Sequence, residues 1–165
     1  MKKLTILLAV LLLLTGCQQE KKSFSQQFAE TFACDENNRA VELKGEDFDF
    51  QVTHGTHVIL LANKDNDVNK QVEELVQAVN NHNGMVIYFF DTAKQLPADQ
   101  LTQLQKAIDA FMENPQPWNS EQPIVLFVKQ GELLEVYNVK QSGYELYDSQ
   151  LTAMENNSAP GCNDC

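Results

Sequence analysis

Four cysteines dominate the reactive side chains of this 165-residue chain: Cys17, Cys34, Cys162 and Cys165. Cys162 and Cys165 have CxxC spacing, which closes a small disulfide ring and allows a dithiol to cycle between oxidised and reduced forms. The electrostatics of this pair are poor: Asp164 opposes thiolate formation, and no helix start follows to stabilise it. Cys34 opens a structural alternative, because a bridge to Cys162 or Cys165 would tie the two ends of the chain together. Such a staple contributes roughly 2 to 4 kcal/mol when unstrained. Three cysteines beyond Cys17 cannot all pair within one molecule. The remaining candidates are thinner. His54 and His57 are close in sequence, but no cysteine or third histidine is placed to complete a zinc site. Asp65 and Asp67 precede an amphipathic stretch, where a carboxylate can accept hydrogen bonds from free N–H groups at a helix start; a metal site there is the weaker option. No phosphate-binding glycine loop or nucleophile elbow is present, so the expectation is no metal and no cofactor.

The elements that must carry these residues begin with an export signal. Lys2 and Lys3 supply positive charge, Leu4 to Leu14 is apolar, and small residues stand immediately before Cys17. The apolar run is far shorter than the ~20 residues a spanning helix needs. Leu14-Thr15-Gly16-Cys17 resembles the lipobox of bacterial lipoproteins, which implies that the sulfur of Cys17 receives a diacylglyceryl group before residues 1–16 are cut away. Two acyl chains, at roughly 0.8 kcal/mol per buried methylene, make such attachment stable. The expected organisation is a signal peptide over 1–16, a lipidated tether with a short amphipathic helix over 17–42, a folded domain over 43–155 and a polar tail over 156–165. The implied address is the cell membrane, lipid-anchored on the extracytoplasmic face, where thiols are not held reduced. Without Lys2 and Lys3, 10 basic side chains face 23 acidic ones, a formal charge of −13. Such a surface repels nucleic acid and anionic headgroups; its simplest role is to keep an exported protein soluble.

Within the tether, Phe24, Phe28 and Phe32 form a four-residue-spaced stripe, expected to pack on the domain rather than lie on the membrane. Glu46 to Thr53 reads as a short helix, with a strand as the alternative. The continuous apolar run His57 to Ala62 suits a strand covered on both faces. A long helix follows with Val68, Val72, Leu75, Val76 and Val79 on one side, closed by Asn83-Gly84. Met85 to Phe90 is a second buried strand, ended by Asp91-Thr92. Pro97 to Asn114 is a helix with Leu101, Leu104, Ile108, Phe111 and Met112 inward, stopped by Pro115 and Pro117. Ile124 to Val128 and Leu133 to Val139 form an antiparallel hairpin about Gln130-Gly131. Gly143 to Glu155 makes a last helix through Tyr144, Tyr147, Leu151 and Met154. Trp118 is expected to cover the core beside the proline-rich loop, with contact to a ligand near a groove as the alternative.

A strand–helix–strand unit gives a parallel pair, and a hairpin adds antiparallel neighbours to the same sheet. This order resembles the thioredoxin-like superfamily. The most specific segment is Gln122 through Asn138, reading QPIVLFVKQGELLEVYN, which is similar to the thioredoxin stretch from a cis-proline through the hairpin. The resemblance, over about residues 43–155, implies an α/β, thioredoxin-like three-layer fold with a central mixed β-sheet flanked by helices, a cis bond before Pro123, and a peptide-docking groove at Gln122 and Pro123. The chain departs from the family at the reactive centre. Where thioredoxins place Trp-Cys-x-x-Cys, this sequence has Leu61 to Lys70, reading LANKDNDVNK, so that Asp65, Asn66, Asp67 and Val68 occupy the degenerate active-site stretch. A carboxylate at that helix start cannot form a disulfide.

Two functions of different class follow. One is a noncatalytic binding or accessory module with a protein or peptide partner, similar to the divergent group described as bacteriocin transport accessory proteins. The other is a thiol-disulfide oxidoreductase using Cys162 and Cys165. Both share the membrane attachment. Cys17→Ser is therefore expected to abolish lipid modification and release the protein from the membrane fraction. A variant that lacks lipid yet still sediments with membranes would require a second anchor in the Phe24, Phe28 and Phe32 stripe.

Overall fold

The structure, a computed structural model, describes residues 22–112 and 116–156. In chain order its elements are α1 (Phe24–Phe32), β1 (Ala40–Glu42), α2 (Phe48–Thr53), β2 (His57–Ala62), α3 (Asn69–Asn81), β3 (Ile87–Asp91), α4 (Ala98–Phe111), β4 (Ile124–Lys129), β5 (Glu132–Asn138) and α5 (Tyr144–Asn156). Single 3₁₀ turns occupy Gly45–Asp47, Lys64–Asn66 and Val139–Gln141. The five strands form one mixed sheet in the order β1-β3-β2-β4-β5. β1 and β2 run parallel to β3, whereas β4 runs antiparallel to both β2 and β5.

Every residue of β2 and of β4 is buried, which is why their sequences are nearly unbroken apolar runs rather than alternating ones. Their side chains still alternate between faces. Val58, Leu60, Ala62, Val125 and Phe127 point to the layer holding α1, α3 and α5, where they meet Phe28, Phe32, Val72, Leu75, Tyr147 and Leu151. Ile59, Leu61, Ile124, Leu126 and Val128 point to the opposite layer and pack against Phe48 of α2 and Leu104 and Ile108 of α4. The result is an α/β architecture in which helices flank a mixed sheet on both faces.

The phenylalanine stripe belongs to this core. Ser23 and Gln26 form a reciprocal capping box that starts α1, and Ala33 ends it in the left-handed conformation. Phe28 and Phe32 then pack edge-on against Phe89, with ring centroids 5.1 and 5.3 Å away. The sheet also begins before Leu43. Ala40–Glu42 pairs with Ile87–Phe89 as an edge strand too short to leave a readable alternation, since only Ala40 of its three residues is buried. Glu46 to Thr53 is helical, not extended, as a 3₁₀ turn leading into α2.

Three details differ from the sequence-based expectation. β3 begins at Ile87, not Met85, and α4 ends at Phe111. Leu101 and Phe111 do not face inward: they are 39% and 37% exposed. The buried stripe of α4 runs through Gln100, Leu104, Ala107 and Ile108. A polar residue belongs in it because the Gln100 side-chain oxygen accepts the backbone N–H of Asp49 at 2.7 Å, tying α4 to α2. At the far end of the sheet, Gln130 and Gly131 both take positive φ, the pairing a two-residue hairpin turn needs. Gly131 cannot be replaced without movement, because a Cβ there would lie 2.1 Å from the Thr53 carbonyl oxygen. Among the described residues no helix is long and apolar enough to cross a membrane.

Candidate functional site

The carboxyl ends of β2 and β3 and the approach to β4 come together in one polar cluster. Thr92, just after β3, donates its backbone N–H to the Ala62 carbonyl at the end of β2 at 3.0 Å. Beyond Ala62 the chain turns through Lys64–Asn66, and two asparagines hold that turn. Asn63 accepts the backbone N–H of Asp65 at 2.9 Å, while Asn66 accepts the backbone N–H of Asn63 at 2.8 Å. Both amides then reach across to a third loop. The carbonyl oxygen of Ser120 receives Asn66 Nδ2 at 3.2 Å, Asn63 Nδ2 at 3.3 Å and the Thr92 hydroxyl at 3.2 Å. Asn63 Nδ2 also donates to Thr92 Oγ1 at 2.8 Å. Asn66 is buried, as is Thr92, so these amide and hydroxyl groups are matched inside the protein rather than by solvent.

The loop carrying Ser120 is itself pinned. Gln105 of α4 accepts the Trp118 backbone N–H at 2.8 Å, and the Trp118 indole N–H donates to the Gln122 carbonyl at 2.9 Å. The Gln122 N–H donates to the Asn119 carbonyl at 3.0 Å. Trp118 thus covers the α2/α4 side of the core as expected, with its polar edge satisfied by the loop it closes. A cleft of about 260 Å³ lies beside the cluster, lined by Thr92, Lys94, Leu96, Leu101, Trp118 and Ser120. At Leu101 and Trp118 it meets a second groove that follows α4 past Thr102 and Lys106.

Each residue singled out in the sequence can now be placed. Asp65, Asn66, Asp67 and Val68 do stand between β2 and α3, but the expected capping role of the aspartates is not what they do. Val68 is the N-cap of α3 and, having no polar side-chain atom, makes no capping bond; its side chain is buried in the core at 1% exposure. Asp67 sits one residue earlier with φ of 54°, a left-handed conformation that Asp tolerates better than most residues. The bond before Pro123 is trans: no cis peptide occurs among the described residues. Nor does Gln122 present free backbone groups for an incoming strand, since its N–H and carbonyl are both taken within the loop. Pro123 itself is buried, and its carbonyl accepts the Val139 N–H at 2.9 Å beside the end of the hairpin.

Cys34 is half-buried, and its thiol is pushed up to about 11, chiefly by burial and further by the nearby Asp35 and Glu73 charges; its own backbone hydrogen bond pulls the other way. In that state it is a protonated, weakly nucleophilic sulfur. Cys17, Cys162 and Cys165 lie outside the described residues. His57 is buried, with Nε2 2.9 Å from the Gln51 carbonyl, and burial lowers its pKa. His54 is exposed and stacks on Phe50 with ring centroids 4.2 Å apart. Among the described residues no three His, Cys, Asp or Glu side chains converge as a metal site would require. Comparison of the chain with protein-family profiles, with curated proteins and with solved structures gave no match.

The residues that sequence reasoning missed are Asn63, Thr92 and Ser120. The one local signal was the pair Asn63 and Asn66, a side-chain acceptor three residues ahead of a side chain able to reach back, in the manner of a capping box. Asn66→Ala removes a buried amide that serves both the turn and the Ser120 carbonyl. It is expected to cost about 1 to 3 kcal/mol in chemical denaturation. A cost below about 0.5 kcal/mol would mean that Asn66 behaves as an ordinary surface side chain.

Proposed function

We propose that this chain is an extracytoplasmic lipoprotein, attached to the cell membrane through Cys17, whose folded part is a thioredoxin-like domain acting as a noncatalytic binding or accessory module for a protein or peptide partner. The strand order and directions support the fold assignment: a parallel β2–α3–β3 unit carries an antiparallel β4–β5 hairpin next to β2, as the sequence resemblance implies. The observation that carries the noncatalytic reading is the Asn63–Val68 turn. Where the family holds its attacking thiolate at a helix start, this chain has a sulfur-free turn bonded to the Ser120 carbonyl. The chemistry such a cluster offers is hydrogen bonding and shape, not electron transfer.

The trans bond before Pro123 and the occupied backbone of Gln122 shift the expected contact surface. Strand-like pairing at Gln122 requires breaking two existing hydrogen bonds. The neighbouring concave surface is open and sets the apolar Leu101 and Trp118 among polar and charged side chains, so side-chain recognition there suits a partner better than main-chain pairing. The acidic surface favours a partner of neutral or positive charge.

The competing reading is an oxidoreductase built on Cys162 and Cys165, and an assay of insulin reduction separates the two. The lipid-free protein is expected to reduce insulin no faster than a free dithiol, and Cys162→Ser/Cys165→Ser is expected to leave that rate unchanged. Turnover clearly above the free dithiol that vanishes in the double variant would overturn the binding-module reading and establish the tail pair as the working centre.

A further inference from the structure

His82 closes α3 as its C-cap, and only 8% of its side chain is exposed. Both ring nitrogens face carboxylates of α5: Nε2 lies 3.1 Å from Asp148 Oδ1, and Nδ1 lies 3.0 Å from Glu155 Oε2. A neutral imidazole carries one N–H and can donate to only one of them. Nε2 can hydrogen-bond Asp148 in either state, whereas the Nδ1–Glu155 contact lacks hydrogen-bond geometry and is attractive, as an ion pair, only when the ring is an imidazolium. We propose that His82 is a proton-operated latch joining the end of α3 to the C-terminal half of α5, closed while the ring carries two protons and released when it loses one.

The surroundings define the charge balance. Arg39, from the segment before β1, donates Nη1 to the His82 carbonyl at 2.7 Å and lies 3.5 Å from the Met85 carbonyl; it is a fixed cation that opposes the imidazolium. On α5, the Tyr144 hydroxyl donates to Asp148 Oδ1 at 3.3 Å and accepts Asn81 Nδ2 at 3.0 Å. Two carboxylates against one guanidinium leave negative charge for the ring to meet. The helix termini act in the same direction. A cation at the C-terminus of α3 is favoured by its macrodipole, and Glu155 lies in the last turn of α5, which has no basic residue of its own to offset a carboxylate there.

Burial works against the charged ring, but the two carboxylates of Glu155 and Asp148 beside it outweigh burial and leave the His82 pKa raised. A folded state with a raised pKa binds the proton more tightly than the unfolded chain. The latch therefore contributes in full below the unfolded value of about 6.5 and is lost as pH rises through the folded one. Deprotonation leaves one carboxylate facing a ring lone pair. The loosening is local, because the start of α5 is held separately: Glu74 accepts the Tyr144 backbone N–H at 3.2 Å, and Tyr147 and Leu151 are fully buried. The latch itself follows from side-chain geometry. Its use by the cell rests on the extracytoplasmic reading, in which the domain meets ambient rather than cytoplasmic pH.

Hydrogen exchange of the full mature protein in detergent micelles, corrected for intrinsic rates, tests the latch. From about pH 5.5 to about pH 8, protection of residues 151–156 is expected to fall about fivefold, with the first turn of α5 little changed. His82→Gln should abolish that pH dependence. Glu155→Gln alters a partly exposed carboxylate whose loss leaves the core intact, and should reduce the dependence even if His82→Gln fails to fold. Protection independent of pH in the wild type, or an unchanged dependence in Glu155→Gln, would overturn the latch. A side-chain nitrogen spectrum showing a neutral His82 ring at the lower pH would do so as well. Loss of membrane attachment would count only against the extracytoplasmic reading.

Discussion

The carbonyl oxygen of Ser120 accepts hydrogen bonds from three side chains on two other loops, Asn63, Asn66 and Thr92. A backbone carbonyl has two lone pairs, so three donors at 3.2 to 3.3 Å share them, and none of the three can leave without exposing a polar group in a half-buried site. That one acceptor joins the end of β2, the end of β3 and the entry to β4. The conformation of the loop follows from it: Trp118 folds over Gln122, Gln122 closes on Asn119, and Pro123 enters β4 through a trans bond. The site is a closed polar seam beside an open groove of mixed lining, the opposite of a reactive centre that must expose a sulfur and free backbone groups.

The opposite face of the sheet shows how far polar pairing extends into the packing. α3 and α5 bury Leu75, Val79, Tyr147 and Leu151 against each other and the sheet. Charged and polar side chains then hold both ends of that contact: Glu74 serves the start of α5, and His82 meets Asp148 and Glu155 toward its end. Apolar burial supplies most of the stabilisation here, at roughly 25 cal/mol per Å². The polar contacts set the relative position of the helices and make it responsive to protonation.

Much of this architecture was legible in the sequence because its signals are local. The unbroken apolar runs of β2 and β4 mark buried strands, the spacing of Val72, Leu75, Val76 and Val79 marks one face of α3, and Gln130-Gly131 marks the hairpin turn. What escaped depends on contacts between distant segments. β1 is three residues long and becomes a strand only by pairing with β3. The aspartates after β2 looked like caps, yet the core took Val68 into the capping position and left the hydrogen bonding to Asn63 and Asn66. Leu101 fits a helical stripe as well as Leu104 does, and only the Gln100 bond to Asp49 shows that the stripe is rotated away from it. The isomer of the Pro123 bond was inferred from resemblance alone, and the loop that decides it is held by Ser120, which carries no sequence signal.

The central claim is that this end of the sheet is sealed by hydrogen bonds and presents no open strand-pairing groove. Side-chain and backbone NMR of the lipid-free protein tests it most directly, through the exchange of the Asn66 amide and the Gln122 N–H with water and the carbon shifts of Pro123. Slow exchange at both positions, with shifts of a trans proline, is the predicted result. Exchange of both at the rate of an unstructured peptide, together with a cis proline, would contradict the account and restore the open groove.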